Sequence, residues 1–224
     1  MSITSIFIPN STSFINNPYY LENLLTTYQT KFKSYDQSVI ISLSYVINTV
    51  DTLSVLNFLI NKKNTSSLLD TIYFYWENKV NNEEVLGYGA TQYFDIDSSN
   101  RFSISKKFTK DCLAKIIKIK EKKEIKASPR IFSGFTFFDK TDYLYCSFPP
   151  AFAFLPYVQL IKTKNSSTLT FNILIKKKTD IKQIILKILT IKKLILSLTT
   201  YQSNKKEFKK VVSCNISSIR KEKF

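Results

Sequence analysis

The segment FYWENKVNNEEVLGYGATQYF, residues 74–94, has the pattern of a β-hairpin. Two apolar, aromatic-rich runs bracket the polar stretch NKVNNEE, which is rich in turn-forming residues. We therefore predict that strands at 71–78 and 84–96 pair in antiparallel fashion. The segment also contains Gly87 and Gly89, two of the three glycines in the chain, although glycine weakens the interior of a strand.

The third glycine, Gly134, lies in PRIFSGFTFFD, which also has the composition of a strand. Glycines at such positions either permit a bulge or leave a bare strip against which an aromatic ring packs. Close approach of a ligand is the alternative, but no phosphate-binding glycine motif accompanies them. We favour packing, and expect Gly89→Val to destabilise the fold by about 1–3 kcal/mol through overpacking. The candidate aromatic partners are Tyr88, Tyr93, Trp76 and Phe137.

Hydrophobic periodicity predicts the remaining elements. Apolar residues at helical spacing indicate helices, and short apolar or alternating runs indicate strands. Segment 51–61 fits either a helix or a strand. No internal repeat or linker is evident, so the chain is predicted to form one α+β unit. The predicted helices span 19–32, 105–124, 180–201 and 205–224, and the further strands span 38–47, 130–139 and 167–178.

The composition of the 224 residues is that of a globular protein with a sizeable core, since 44% are hydrophobic and 14% aromatic. Basic residues number 33, yet arginine occurs only at positions 101, 130 and 220, and glycine is equally scarce. Lysine has AT-rich codons, whereas arginine and glycine have GC-rich ones. The sequence therefore indicates an AT-rich genome, such as that of an organelle or a reduced bacterium.

The net charge of +16 is concentrated in residues 162–224, which carry 13 of these charges. A basic region of this kind favours anionic partners such as nucleic acid, a membrane surface or an acidic protein. Coding bias toward lysine is sufficient to explain it, and the scarcity of arginine argues against phosphate recognition. The N-terminus has no signal-peptide pattern, and no apolar run is long enough to cross a membrane, so neither nucleic acid nor a membrane is expected as a partner.

Cysteine and histidine usage excludes several kinds of chemistry. The three cysteines, Cys112, Cys146 and Cys214, are far apart and form no CxxC pair, so neither a disulfide framework nor a zinc site is expected. The chain has no histidine, which excludes Ser-His-Asp and Cys-His catalysis within it.

Five motifs run in order from about residue 71 to 175: FYWE, VLGYGATQYF, PRIFSGFTFFD, FPPAFAFLPYVQLI and TLTFNILI. In order and spacing, this series resembles the N-terminal part of the isochorismate synthases, a branch of the chorismate-utilising enzymes. Ser133 stands where that family usually has a second glycine. The resemblance implies an α+β fold in which two mostly antiparallel sheets pack together with flanking helices.

The resemblance also implies conversion of chorismate to isochorismate, a step toward menaquinone or phylloquinone, with Mg²⁺ as cofactor. In that family a lysine activates water, a glutamate protonates the leaving hydroxyl, and further glutamates hold the metal. This division suits the chemistry, because one proton must leave water while another reaches an oxygen. Mg²⁺ in turn prefers carboxylate oxygens.

None of these groups can be assigned in this chain. The family's lysine lies in a Lys-Val-Val-Leu-Ala-Arg strand, and the stretch beginning at Lys210 resembles it only superficially, because SCN follows KVV. Glu77, Glu83 and Glu84 are possible cation ligands, although a polar turn also accounts for them. We therefore assign no catalytic, cofactor-binding or metal-binding residue.

The resemblance implies that residues 1–201 form an N-terminal α+β region and that residues 202–224 begin a truncated chorismate-binding catalytic domain. We then expect the chain to be inactive and to bind no Mg²⁺ by itself, with a separately encoded C-terminal chain completing the enzyme. A plastid-encoded stromal protein fits the coding bias, and the cytoplasm of an AT-rich bacterium is the alternative.

Two other functions remain open. The chain could be a non-catalytic basic module that binds an acidic partner or nucleic acid, or a complete but divergent small enzyme. The absence of histidine counts against the complete enzyme.

Overall fold

The computed structural model describes residues 5–7, 17–33, 38–61, 72–96, 100–121, 128–137, 149–164 and 166–203. Four helices and eight strands lie in these residues. The helices are α1 (Pro18–Lys33), α2 (Thr52–Asn61), α3 (Arg101–Ala114) and α4 (Ile181–Ser203). The strands are β1 (Ser5–Phe7), β2 (Val39–Ile47), β3 (Tyr73–Asn78), β4 (Glu83–Ile96), β5 (Ile116–Lys120), β6 (Phe132–Phe135), β7 (Ala151–Lys162) and β8 (Ser167–Ile175).

The described strands join in one eight-stranded sheet with the order β1-β5-β2-β8-β7-β4-β3, and β6 pairs with the first residues of β7. Strands β2, β8, β7, β4 and β3 are antiparallel, whereas β5 runs parallel to both β1 and β2. This confirms the predicted α+β class with a mostly antiparallel sheet. The resemblance implied two packed sheets, and the described residues contribute one.

The hairpin predicted from residues 74–94 is present. Strands β3 and β4 pair antiparallel, with Tyr73 opposite Tyr88 and Trp76 opposite Val85. The turn between them is closed by Asn78, whose Oδ1 accepts hydrogen bonds from the N–H groups of residues 80 (3.0 Å) and 81 (3.2 Å). Asn82 has a φ of 50°, a left-handed conformation that asparagine tolerates well.

The main core lies between the sheet and α1, α2 and α4, on what we term the first face of the sheet. Alternation along the strands directs large apolar side chains to this face. Helix α4 lies between α1 and α2, and α2 packs over β4. Buried residues of this face include Ile41, Leu43, Leu86, Leu160, Leu169, Phe171 and Ile173.

The opposite, second face carries α3, which packs against β7 and β4. A smaller core forms here from Ile40, Cys112, Ile116 and Leu155. Residues 128–135 also contribute to this face, because Phe132 joins a third apolar cluster with Val85, Phe154 and Ile161.

The predicted helix at 105–124 is wrong in its second half. Helix α3 ends at Ala114, and residues 116–120, IIKIK, form strand β5. Three isoleucines favour a strand, and pairing with β1 and β2 on both sides overrides the helical spacing of the apolar residues. Alternation then buries Ile116 on the second face and Ile119 on the first.

The other elements differ mainly in extent. Segment 51–61, which fitted either element, is helix α2 from residue 52. Of the strand predicted at 130–139, only residues 132–135 pair with a neighbouring strand. Residues 138 and 139 lie outside the described residues. The helix predicted at 205–224 lies beyond the last described residue, 203. Of the domain start predicted at 202–224, only residues 202 and 203 are described, as the end of α4, so both stay predictions.

A β-bulge lies where β4 passes the centre of β7. The register shifts between Ala90 and Gln92, opposite Pro156 and Leu155. Proline has no N–H to donate, which explains why it occurs in a central strand only at such an irregularity. Gly89, just before the bulge, has a φ of 64°, and its N–H donates to the carbonyl of Ile72 (2.8 Å).

We expect Gly89→Val to lower the free energy of unfolding by about 1–3 kcal/mol, because a β-branched residue is strained at this φ. The backbone conformation is a cause that the sequence analysis did not include, beside the overpacking inferred there. Gly89→Asn should cost less, since asparagine tolerates the left-handed region. Urea unfolding of both variants tests this, and equal losses for Val and Asn would contradict it.

Candidate functional site

The bare strips left by glycine are filled by aromatic rings. A Cβ atom on Gly87 would lie 2.5 Å from Cε2 of Phe132 and 3.2 Å from Cβ of Pro156, and a Cβ on Gly134 would collide with the ring of Phe152. The packing interpretation is therefore correct, but the rings are not those proposed from the sequence. Phe132 also stacks on Phe74, with centroids 4.4 Å apart.

The three candidate carboxylates do not converge on one point. Glu83 and Glu84 are neighbours in β4, so their side chains project to opposite faces of the sheet. Each has a basic partner: Arg130 contacts Glu83 at 2.6 Å, and Lys162 contacts Glu84 at 2.6 Å. In both ion pairs the basic side chain neutralises the negative carboxylate charge that would bind a metal cation.

Glu77 lies directly opposite Glu84 on the first face, and Tyr75 donates its hydroxyl hydrogen to Glu77 over 3.4 Å. Burial, together with the negative charges of Glu84 and Glu77, raises the pKa of Tyr75 to about 12. Within the described residues, no three acidic, cysteine or histidine side chains cluster as metal ligands. The described carboxylates therefore do not fit the Mg²⁺ site that the family resemblance implies.

Lys210, the lysine compared with the catalytic base, lies outside the described residues, as do Cys146 and Cys214. Cys112 is a buried free thiol on α3. Burial raises its pKa to about 11, and the nearby Lys115 opposes this only in part.

We expect Cys112 to resist alkylation in the folded protein at pH 8, because the reactive thiolate is scarce well below a pKa of about 11. Its reactivity should rise as the pH increases toward that value. Mass-spectrometric mapping of iodoacetamide adducts at Cys112, in native and urea-unfolded protein, measures the difference. Equal labelling of Cys112 in both states at pH 8 would contradict the prediction.

A polar layer, which the sequence analysis missed, lies on the second face at the centre of the sheet. We use this name for the fully or almost fully buried side chains of Ser42, Ser44, Gln159, Thr170 and Asn172. They are adjacent in the ladders, and the hydroxyls of Ser44 and Thr170 are hydrogen-bonded at 2.9 Å. The signal was present in the sequence as polar residues at every second position of SLS and TLTFN.

Gln159 uses its amide to hold the chain segment that crosses the second face. Its Oε1 accepts from the N–H of Arg130 (2.7 Å), and its Nε2 donates to the carbonyl of Ser128 (3.0 Å). Lys118 donates to the Ser128 hydroxyl (3.1 Å), and burial, followed by the charge of Lys120, lowers the pKa of Lys118. These contacts position residues 128–135 so that Phe132 reaches Gly87.

The polar layer also ties down the bulge. The Asn172 side chain donates from Nδ2 to the carbonyl of Pro156 (2.8 Å), and the backbone carbonyl of Asn172 accepts from Thr91 Oγ1 (2.6 Å). Three strands are thereby joined at the point where their register is irregular. Neutral hydroxyls and amides of this kind bind by hydrogen bonding but supply neither a general base nor a general acid at neutral pH.

Exposed lysines lie on several elements of the described region, and three of them lie on α4. Lys182, Lys187 and Lys193 are exposed there, whereas Lys192 is buried against the Tyr45 ring (5.4 Å from Nζ to the centroid). Both described arginines have internal contacts: Arg130 binds Glu83, and Arg101 is buried. Of the four helices described, none combines the length and apolarity needed to cross a membrane.

This sheet, with α1, α2 and α4 on one face and α3 and the polar layer on the other, can be compared with known proteins. Residues 25–224 match the family model described as chorismate binding enzyme, so the chain belongs to the chorismate-binding enzyme family. No curated protein matches the chain. A solved structure that is similar is that of MenF, the menaquinone-specific isochorismate synthase from Escherichia coli, at 16% identity and a TM-score of 0.40. The similarity covers 78% of this chain and 34% of MenF, so the chain spans about a third of that protein's length.

Proposed function

We propose that the chain is the scaffold-forming N-terminal part of an isochorismate synthase, which converts chorismate to isochorismate in menaquinone or phylloquinone biosynthesis. Membership of the chorismate-binding enzyme family over residues 25–224 carries this proposal. The ordered motifs from FYWE to TLTFNILI support the choice of isochorismate synthase within that family.

We further propose that the groups that perform the chemistry lie outside the described residues. The described carboxylates with basic partners, Glu83 and Glu84, are held in ion pairs on opposite faces. The polar layer contributes hydrogen bonds that order the sheet. A lysine base, a glutamate acid and the carboxylates that hold Mg²⁺ would then come from elsewhere, and we propose a separately encoded catalytic chain as their source.

The AT-rich coding signature supports synthesis in a plastid, with an AT-rich bacterium as the alternative host. A plastid enzyme would supply phylloquinone, whereas a bacterial one would supply menaquinone. The genomic DNA that surrounds the gene distinguishes the two hosts.

Complementation tests the proposal. The purified chain is mixed with a second chain from the same genome, one that contains the Lys-Val-Val-Leu-Ala-Arg strand and the later glutamates. Isochorismate is then measured in a coupled assay with Mg²⁺. We expect turnover by the mixture and none by either chain alone. Turnover of chorismate to anthranilate or aminodeoxychorismate by the mixture would keep the family but contradict isochorismate synthesis. No stimulation by the added chain would contradict the split arrangement.

A second candidate function is a basic module that binds an acidic protein, and the exposed lysines of α4 are the observation that favours it. Lysine acts as a point charge without the planar fork of arginine, so such binding would be weakly specific and sensitive to salt. Substituting Lys182 and Lys193 by glutamine should abolish this binding and leave complementation unchanged.

A further inference from the structure

Strand β3 is an edge strand of the sheet that the described residues form. Among the described residues it pairs with β4 alone and is the last strand of the sheet order. The hydrogen bond from Gly89 N–H to the carbonyl of Ile72 shows that Ile72 and every second residue after it bond to β4. In an antiparallel pair, the residues that bond to the neighbouring strand alternate with those that point away. The backbone N–H and C=O groups of residues 73, 75 and 77 therefore point away from β4.

Strand β3 lacks three of the features that usually prevent strand association. Its sequence, YFYWEN, contains no lysine, proline or bulge. Tyr73 is 53% exposed and Trp76 is 40% exposed, although both are large hydrophobic residues. An exposed edge of aromatic residues is a template for a further strand.

We propose that two copies of the chain associate by antiparallel pairing of their β3 strands about a two-fold axis at Tyr75. In this register Tyr75 lies opposite its own copy, and Tyr73 lies opposite Glu77. By symmetry, Glu77 of the first copy also lies opposite Tyr73 of the second. The resulting three pairs use every outward-pointing residue of β3, and each pair exchanges two hydrogen bonds. Moving the axis by one residue in either direction would pair an outward-pointing residue with one outside the strand.

The side chains make the edge self-complementary in this register. Phe74 lies opposite Trp76 on the second face, which gives two aromatic cross-strand pairs related by the axis. On the first face, the phenol of Tyr73 lies opposite the carboxylate of Glu77. No like charges meet across the pair, so the strand fits a second copy of itself in an isologous contact.

Helix α2 adds apolar surface beside this edge. It packs over β4 on the first face, with α4 on its other side, so among the described helices of the first face it is the nearest to β3. Leu53 is 45% exposed and Ile60 is 43% exposed on this helix. A stable dimer buries roughly 1,200 Å² or more in total, which exceeds the area of one strand pair. In the proposed dimer, the exposed side chains of α2 would supply the additional area.

The test uses the full 224-residue chain and two lysine substitutions. Trp76→Lys places a charge opposite Phe74 in the paired strands, whereas Val80→Lys changes a 90% exposed residue of the adjacent turn. Light scattering at micromolar concentration should give twice the 26.0 kDa of one chain for the wild-type protein and for Val80→Lys. Trp76→Lys should give the mass of one chain, with an unchanged circular dichroism spectrum.

Trp76 is the only tryptophan in the chain, so its fluorescence reports on this edge in the unmodified protein. Its quenching by acrylamide should become slower as the protein concentration rises from the nanomolar to the micromolar range, because pairing covers the indole. This measurement decides the question if Trp76→Lys does not fold. A wild-type mass of one chain, a dimer that survives Trp76→Lys, an open-ended filament or a quenching rate that does not change with protein concentration would each overturn the proposal.

Discussion

Replacing Asn172 by aspartate will lower the free energy of unfolding by about 3–5 kcal/mol at pH 8. Asn172 is completely buried, and its Nδ2 donates to the carbonyl of Pro156 at 2.8 Å. Aspartate removes this donor and directs a carboxylate oxygen at the same carbonyl. The pair then becomes repulsive, and a charge is buried without a partner.

The effect should depend on pH in a defined direction. Burial of the new carboxylate raises its pKa in the folded state, so the unfolded state releases its proton first. The loss of stability is therefore smallest below the ordinary carboxyl pKa of about 4 and grows as the pH rises above it. Urea unfolding at pH 4 and pH 8 measures this difference. Asn23→Asp, on the exposed surface of α1, is the matched control, and a similar loss in both variants would contradict the role of the polar layer.

Gly87→Val will destabilise the protein by about 3 kcal/mol, at the upper end of what overpacking usually costs. The new Cβ alone would lie 2.5 Å from the Phe132 ring, which cannot retreat easily because it stacks on Phe74 and also contacts Phe154. Pro156 limits movement from another direction, at 3.2 Å from the same Cβ.

A double-mutant cycle isolates this cause. In a Phe132→Ala background, the same Gly87→Val substitution should cost less than about 1 kcal/mol, since the added methyl groups enter space that the ring has left. Thermal or urea unfolding of the four proteins gives the coupling energy. An unchanged cost of Gly87→Val in the Phe132→Ala background would show that the ring is not what excludes a side chain at position 87.

The hairpin of β3 and β4 could be predicted from the sequence because its signals are local: alternating apolar runs and a polar turn lie within a few residues of each other. Strand β5 could not, because IIKIK continues the helical spacing of α3, and only pairing with β1 and β2 makes it a strand. The sequence favoured a packing role for the glycines of this hairpin, Gly87 among them. The identity of its neighbour depended on where Gln159 holds the segment that carries Phe132.

The candidate site shows the same limit. The sequence places Glu83 and Glu84 together, yet adjacent residues in a strand face opposite ways, and their partners Arg130 and Lys162 lie far away in sequence. In the sequence, Asn172 is one polar residue in a mostly apolar strand. Its role in holding the sheet follows from the bulge opposite Pro156, and no local sequence pattern predicts that bulge.

The formation of isochorismate by the purified chain tests the central claim, that the described residues order a scaffold and do not perform the chemistry. Loss of one proton-transfer group typically lowers a rate by ~10²–10⁴, and here we propose that base, acid and metal ligands are all supplied from elsewhere. We predict that the chain alone, with or without Mg²⁺, produces no isochorismate above a buffer control. Turnover by the chain alone that disappears in Lys210→Ala would contradict the account and establish Lys210 as the catalytic base.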